Sequence, residues 1–354
     1  MNSKTDKKQL LIFLIVAYGV TFLMGFIMWY GRSKHLDLTA FVNTQMMYPA
    51  AGVMLAYLLT RKNDSDMPKL FFLSFLFITA LMLISSILTV IQPEKILEMP
   101  GGTVSFWLIL MQLIMMGGSI LCWIFLLISG KKRRKAYGLD GKHWKASLLC
   151  ILLFLVLYFL RAGIGFVSAG QFNVFTEILT SLDTWIYIAS MPLNFLLVFV
   201  AFFGEEYGWR YYLQPMLQKR FGLRAGVLIL GIAWGLWHLP VDFLYYVSPE
   251  QGFIMLVSQL ITCVTYGIFF GFVYMRTNNI WAVVLIHFFN NNLAPVIAGT
   301  YTADVLQNQT VSWSQIPWSL VINGLLFGLF LLAKPFRKKE RDICSFSISD
   351  EQSP

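Results

Sequence analysis

The chain has 354 residues, of which 57% are hydrophobic and only 13% are charged. A soluble domain of this length carries far more charge, so the composition excludes that class and indicates a polytopic membrane protein surrounded by the lipid bilayer. The net charge of +9 does not call for nucleic acid as a partner, because membrane proteins retain Lys and Arg in their cytoplasmic loops.

Ten charge-poor runs follow one another along the chain, and each is long enough to cross a bilayer, or nearly so, at about 1.5 Å of rise per residue. In chain order they cover residues 10–30, 40–60, 70–91, 105–129, 146–167, 184–213, 224–240, 253–275, 279–298 and 316–334. We therefore predict an all-α, multi-pass membrane protein with about ten transmembrane helices, within a range of eight to ten.

Basic residues in the loops predict the orientation of these helices. If the N-terminus is cytoplasmic and every run crosses, 22 of the 27 Lys and Arg residues lie on the cytoplasmic side and three lie outside. This asymmetry is what the positive-inside rule describes. It places both termini in the cytoplasm. The short loops and Lys-rich ends indicate a bacterial plasma (inner) membrane.

Three of the runs carry polar groups where a membrane-buried helix would still be running. These groups are Glu205, Glu206 and Arg210 in the sixth run, His238 in the seventh, and His287 and Asn291 in the ninth. Ionisable groups at such depth are costly and usually have a task. On a continuous helix Glu206 and Arg210 share a face, whereas Glu205 points about 100° away. We expect Glu206 to pair with Arg210 and Glu205 to remain free.

A helical hairpin would bring these groups together. The sixth and seventh runs are joined near residues 221–222, and Glu205 and His238 each lie 16 or 17 residues from that turn. Residues equidistant from the turn lie at similar height in an antiparallel hairpin, so these two can face each other. His287 and Asn291 are four residues apart and share one face of the ninth run. We therefore expect all four side chains in one cavity that faces the cytoplasm.

Such a set of side chains suits peptide hydrolysis without a serine or cysteine nucleophile. A carboxylate can take a proton from water while a neighbouring histidine holds that water or moves the proton. A second histidine, together with an asparagine, can donate hydrogen bonds to a developing oxyanion. Two histidines and a glutamate also form a common catalytic zinc set, but here they come from three helices and lack the compact H-E-x-x-H spacing. The spacing does not demand a metal.

These residues, in this order, resemble the CAAX prenyl endopeptidase family of intramembrane proteases, also called the CPBP or Abi family. The family pattern is EExxxR, F/WxxxH and HxxxN on successive membrane helices. This chain has Glu205-Glu206-x-x-x-Arg210, Trp234-x-x-x-His238 and His287-x-x-x-Asn291. Trp234 stands where most members have Phe. The resemblance covers roughly residues 180–334.

The resemblance implies a role for each residue of the motifs. Glu205 matches the catalytic glutamate that activates water together with His238, and His287 and Asn291 match the pair that stabilises the oxyanion. Glu206 and Arg210 match residues that support the site. The implied mechanism is metal-free, so no cofactor is expected. Zinc is the alternative, and its ligands would be Glu205, His238 and His287.

Three regions and one function follow from this resemblance. We expect a variable N-terminal membrane part at residues 1–180, a protease core at 181–334, and a basic, then polar, cytoplasmic tail at 335–354. The expected function is an intramembrane endopeptidase that hydrolyses a membrane-associated or lipidated, CAAX-like peptide or protein.

Two other functions fit the same polar cluster. The chain could be a non-catalytic bacteriocin-immunity or membrane partner protein that retains the site. It could also be a proton-coupled transporter, since buried Glu, His and Arg side chains can relay protons. The lack of an internal repeat in the sequence, and the clustering of the polar residues on three C-terminal helices, argue against transport.

Overall fold

A computed structural model describes residues 4–99 and 102–337, except for the side chains of residues 303 and 304. Apolar helices form nearly all of this described part. The helices are α1 (Lys4–Leu14), α2 (Thr21–Ser33), α3 (Thr39–Gln45), α4 (Tyr48–Thr60), α5 (Lys69–Ile91), α6 (Phe106–Ile128), α7 (Gly130–Ala136), α8 (Trp144–Ser168), α9 (Phe172–Thr180), α10 (Leu182–Glu206), α11 (Gln214–Phe221), α12 (Leu223–Trp237), α13 (Leu239–Val241), α14 (Gly252–Thr277), α15 (Ile280–Asn292), α16 (Ala294–Ile297) and α17 (Gln315–Leu326). Strands β1 (Ile96–Met99) and β2 (Gly102–Ser105) pair antiparallel. The predicted all-α class is confirmed.

Shorter helical segments extend several of these elements. Ile15–Val20, Tyr207–Leu213 and Asp242–Tyr246 are π-helical, and Pro249–Gln251, Ala303–Leu306, Gly328–Leu332 and Lys334–Arg337 are 3₁₀-helical. Residues 338–354, which form most of the predicted tail, lie outside the described residues, so that region stays a prediction.

Seven helices in the described ranges are long and apolar enough to cross a membrane. They are Lys4–Ser33, Lys69–Ile91, Phe106–Ile128, Trp144–Ser168, Leu182–Phe221, Pro249–Thr277 and Ile280–Ile297. Leu223–Trp237 and Leu239–Tyr246 form an eighth if this pair, bent by 43°, is one span. The multi-pass membrane fold is therefore confirmed, with a helix count at the low end of the predicted range.

Two of the ten predicted runs are interrupted, which accounts for the lower count. Residues 40–60 form α3 and the 13-residue α4, and Pro49 lies in the first turn of α4. Proline is favoured at that position because its missing N–H has no intrahelical partner there. Residues 316–334 form the 12-residue α17, which gives way to 3₁₀ structure at Gly328. Counting apolar residues measures the length of a run but does not detect such breaks.

The break between α3 and α4 lies against the helix that carries the acidic pair. A Cβ on Gly204 would meet the backbone carbonyl oxygen of Met46, and a Cβ on Gly208 would lie 2.8 Å from the carbonyl carbon of Pro49. Two backbones therefore touch here, and only residues without a side chain allow it. This contact holds the end of α10 against the N-terminal helices.

The hairpin predicted near residues 221–222 is confirmed. The sixth run continues from α10 through the π-helical segment into α11 and ends at Phe221. Gly222 has a φ of +83°, a conformation that favours glycine, and α12 begins at the next residue. The antiparallel partner of Glu205 is thus α12, as the sequence indicated.

The loops at one end of the helices form a surface that we call the basic face. Lys132 pairs with Asp66 at 3.0 Å, and the ring Nδ1 of His143 lies 2.9 Å from the carbonyl oxygen of Thr277. The basic face comprises residues 61–69, 129–145, 218–224 and 275–279. It contains most of the Lys and Arg residues that the topology count assigns to the cytoplasmic side.

The loops at the opposite end are tied together by residues 298–312, which we call the strap. Gln307 Nε2 donates to Thr39 Oγ1 at 2.9 Å, and the backbone N–H of Asn308 donates to the Tyr245 carbonyl at 3.2 Å. Arg32 also donates to the Asn308 side chain. These contacts join the end of α2, the start of α3 and the segment after α12 into a second surface, the strap face.

Replacing Gly208 with Ala tests the backbone contact with Pro49. The added methyl group cannot be accommodated without shifting a backbone, so the free energy of unfolding should fall by about 1–3 kcal/mol. The matched control is Gly117→Ala in α6, where a Cβ would meet nothing within 4 Å. That change should leave stability unaltered or slightly higher. Thermal unfolding in detergent measures both, and equal melting temperatures would contradict the contact.

Candidate active site

One cavity of about 270 Å³ lies between α10, α12, α14 and α15 and brings together residues from all three motifs. Glu205, His238, His287 and Asn291 all line it. Glu206 and Arg210 do not line it and are fully buried. The structure therefore collects the four side chains predicted for catalysis at one cavity and places the two predicted supporting residues behind it.

Glu205 presents its carboxylate to this cavity while one oxygen is held by the protein. Its side chain is 3% exposed, and the indole Nε1 of Trp234 donates to Oε2 at 2.8 Å. The other oxygen, Oε1, has no hydrogen-bond partner among the described residues. One oxygen is thus fixed in position and the other is left to accept a proton or a hydrogen bond from a molecule in the cavity.

His238 is oriented by the backbone of its own helix. Its Nδ1 lies 2.9 Å from the carbonyl oxygen of Trp234 and 3.8 Å from the Sγ of Cys263. A carbonyl oxygen only accepts, so Nδ1 carries the hydrogen and donates it. In the neutral ring Nε2 is then an acceptor. Nε2 has no partner among the described residues, so His238 can accept a hydrogen bond or a proton from water.

Glu206 is held between two basic side chains. Its Oε1 lies 2.8 Å from His287 Nδ1, and its Oε2 lies 3.3 Å from Arg210 Nε. Arg210 makes no well-aligned hydrogen bond, and its guanidinium lies 4.5 Å from the Trp234 ring and 5.2 Å from the Phe270 ring. The ion pair predicted between Glu206 and Arg210 is confirmed. Charge attraction and the two aromatic faces hold the guanidinium in place.

The contact between Glu206 and His287 was not expected from the sequence. The two residues are 81 positions apart, and no short-range spacing indicates their contact. Because a carboxylate oxygen accepts, Nδ1 of His287 donates to it, and Nε2 has no hydrogen-bond partner among the described residues. Glu206 therefore orients His287, which is the arrangement by which carboxylates commonly fix catalytic or metal-bound histidines.

Asn291 is fixed by its neighbour in the chain. Asn290 Nδ2 donates to Asn291 Oδ1 at 2.9 Å. This contact occupies the oxygen of Asn291 and leaves its Nδ2 as a donor on the cavity wall. The sequence assigned no role to Asn290, and its contact with Asn291 was not predicted.

Sequence reasoning missed three further features of this region. Trp234 was noted only as a substitute for Phe, yet its indole N–H is a donor that Phe lacks. Cys263 was assigned no role from the sequence and lines the cavity. Asp242 was assigned no role from the sequence and is fully buried in a π-helical turn, with no hydrogen-bond partner for either carboxylate oxygen among the described residues. Its position four residues after His238 was the available signal.

The residues of the zinc alternative were compared with the placement of possible metal ligands in the described part of the structure, and zinc stays an untested alternative. Across residues 4–99 and 102–337, no group of three His, Cys, Asp or Glu side chains is placed to hold one metal ion. We therefore derive no chemical step through a metal.

The cavity extends away from the basic face. Its wall includes Thr39 at the start of α3, Tyr245 after α12, and Leu306 of the strap. On the basic side the sixth run continues past the acidic pair, and its side chains Arg210 and Gln214 are fully buried. The side of the membrane that this cavity faces depends on the orientation of the helices, so the expectation of a cytoplasm-facing cavity stays a prediction. The sequence indicated the depth of the polar residues but not which end of the cavity is filled.

The family resemblance is confirmed over part of the chain. Residues 185–293, which include all three motifs, match the family described as Type II CAAX prenyl endopeptidase Rce1-like. Over 53 residues the chain is 45% identical to CAAX prenyl protease 2 of Methanococcus maripaludis, which is 15% of this chain and 19% of the relative. The chain thus aligns with about a fifth of that curated protein. No solved structure matches this chain.

Replacing Arg210 with Met tests the buried ion pair. Removing one partner leaves Glu206 with less compensation in a buried position, so the free energy of unfolding should fall by about 3–5 kcal/mol. Adding Glu206→Gln removes the stranded charge, so the double variant should be more stable than Arg210→Met alone. Thermal unfolding in detergent measures both variants.

The control for this prediction is the exposed pair between Lys132 and Asp66 on the basic face. Lys132→Met should cost about 1 kcal/mol or less, because exposed ion pairs contribute little. If the double variant loses as much stability as Arg210→Met does, then the packing of the guanidinium, and not its charge, stabilises the fold.

Proposed function

We propose that this chain is an intramembrane endopeptidase that hydrolyses a peptide bond in a membrane-associated or lipidated, CAAX-like peptide or protein. The family match over residues 185–293 supports protease activity. The observation that carries the proposal is the different setting of the two adjacent carboxylates. Glu205 lines a cavity with one oxygen free, whereas both oxygens of Glu206 face basic partners.

The proposed attack begins with a water molecule held by two acceptors. Glu205 Oε1 and His238 Nε2 can each accept a hydrogen bond from this water, and both side chains line the same cavity. As the water oxygen attacks the peptide carbonyl carbon, Glu205 takes the proton as general base. Collapse of the tetrahedral intermediate breaks the C–N bond, and the proton passes from Glu205 to the departing amine.

The oxyanion that forms needs donors on the other side of the carbonyl. Asn291 Nδ2 is one, since its Oδ1 is occupied by Asn290. His287 is the second when both ring nitrogens carry hydrogen, with Nδ1–H on Glu206 and Nε2–H on the oxyanion. The buried Glu206 carboxylate stabilises that imidazolium. Donors fixed in advance and aimed at developing charge are a large source of rate acceleration.

The location and partners of the protein belong to the same proposal. The multi-pass membrane fold makes the lipid bilayer its surroundings. We place it in a bacterial plasma membrane, with a peptide or lipidated protein as substrate. A non-catalytic immunity or partner protein would have the same fold but would cleave no peptide. Replacement of Glu205 would then leave its cellular function intact, whereas a protease would lose its function.

Replacing Glu205 with Gln tests the general base. Gln keeps the size of the side chain but cannot take a proton, so peptide cleavage should fall by about 100-fold to 10,000-fold. The measurement uses purified protein in detergent and a fluorogenic library of prenylated and unmodified peptides. Glu250→Gln is the matched control, because Glu250 is exposed at the start of the α14 span and should leave the rate unchanged. Cleavage that is equal in wild type and Glu205→Gln would contradict the proposal.

Removal of metal tests the metal-free part of the proposal. Cleavage should persist after exhaustive chelation, and the metal content of active protein should be well below one zinc per chain. The comparison variant is His238→Ala, which should lose activity without losing any bound metal. Stoichiometric zinc that disappears in His238→Ala, together with activity restored by added zinc, would show that Glu205, His238 and His287 form a metal site.

A further inference from the structure

The far end of the cavity is built from segments of the strap face. Thr39, Tyr245 and Leu306 all line the cavity. Thr39 accepts a hydrogen bond from Gln307 of the strap and lies 3.3 Å from the Tyr245 hydroxyl. The strap therefore borders the same cavity that Glu205 lines.

The side of the cavity toward the basic face is filled by protein. Gln214 is fully buried, and its Nε2 lies 3.4 Å from Gln218 Oε1 and 3.5 Å from the carbonyl oxygen of Gly271. Tyr207 is also fully buried, and its hydroxyl donates to the carbonyl of Tyr137 on the basic face. A substrate approaching from the basic face would have to displace this packed layer.

The positive-inside rule makes the basic face cytoplasmic, and the strap face is then extracytoplasmic. The basic face contains Lys131–Lys135 and the other Lys-rich loops. The strap face contains few cations, among them Arg32 and Lys34. Charge distribution and cavity geometry thus point to access from the extracytoplasmic side.

The polar wall of the cavity suits a peptide backbone. Seven carboxamide side chains line it, namely Asn43, Gln45, Gln112, Gln259, Asn290, Asn291 and Asn292. Asn43 and Gln112 have no hydrogen-bond partner among the described residues. A carboxamide both donates and accepts, so it can pair with the N–H and C=O of an extended peptide. Asn43 lies on α3 and Gln112 on α6, so the N-terminal helices contribute directly to this wall.

We propose that the cavity receives an extended peptide segment from the extracytoplasmic face of the membrane, past the strap, and binds its backbone through these carboxamides. Cleavage of that segment rests on the proposed function, but the direction of access does not. The substrate class is then a secreted or membrane-anchored polypeptide exposed outside the cytoplasm, in contrast to a cytoplasmic C-terminus.

The test is the accessibility of single cysteines to a membrane-impermeant maleimide. Asn43→Cys reports from inside the cavity, Lys34→Cys from the strap face, and Lys132→Cys from the basic face. Each is made in a background without the four native cysteines, which is first checked for a wild-type melting profile. In intact cells Asn43→Cys and Lys34→Cys should be labelled, and Lys132→Cys should be labelled only after the cells are permeabilised.

Two results overturn the proposal. One is labelling of Lys132→Cys, but not of Lys34→Cys, in intact cells, which would reverse the orientation. The other is labelling of Lys34→Cys in intact cells while Asn43→Cys requires permeabilisation or stays unlabelled, which would close the cavity to the outside. None of these readings depends on catalysis, so a failure of the proposed protease activity remains distinguishable.

The role of the carboxamides is measured in active protein with an unmodified, membrane-impermeant peptide. Right-side-out vesicles should cleave it, and inside-out vesicles should not. Gln112→Leu should raise KM for this peptide with a smaller effect on kcat, since it removes a contact to the backbone and leaves Glu205 in place. An unchanged KM in Gln112→Leu, or cleavage by inside-out vesicles alone, would contradict this binding mode.

Discussion

A single buried carboxylate, Glu206, organises the centre of this protein. It pairs with Arg210 on its own helix and with His287 on a helix 81 residues away. A buried charge is tolerated when it is paired, so the three side chains must stay together. Their pairing leaves Glu205, the adjacent carboxylate, to face the cavity with one oxygen held by Trp234. The two neighbouring acids thus occupy different positions, one paired inside the protein and one at the cavity.

The N-terminal helices take part in this arrangement. Gly204 and Gly208 let the backbone of the acidic helix touch the break between α3 and α4, and α3 and α6 supply polar side chains to the cavity wall. The sequence motifs lie within residues 205–291, but the space in which their side chains act is enclosed by both halves of the chain.

Local patterns in the sequence predicted much of this structure. Apolar runs predicted the helices, the four-residue spacing predicted the Glu206–Arg210 pair, and Phe221-Gly222 predicted the turn. The contact between Glu206 and His287 and the hydrogen bond from Trp234 were not predicted. Each depends on how distant helices rotate and pack, and spacing along one chain carries no information about that. The breaks in residues 40–60 and 316–334 depend on tertiary packing in the same way.

The central claim is that Glu205 activates water for the hydrolysis of a peptide bond. Comparative mass spectrometry of protein termini, in cells that contain either the wild-type chain or Glu205→Ala at equal abundance, tests it most directly. The account predicts a set of new termini that appear only with the wild type and lie in extracytoplasmic or membrane-associated segments. Identical sets of termini in the two strains, with the cellular phenotype of the wild type retained by Glu205→Ala, would contradict it.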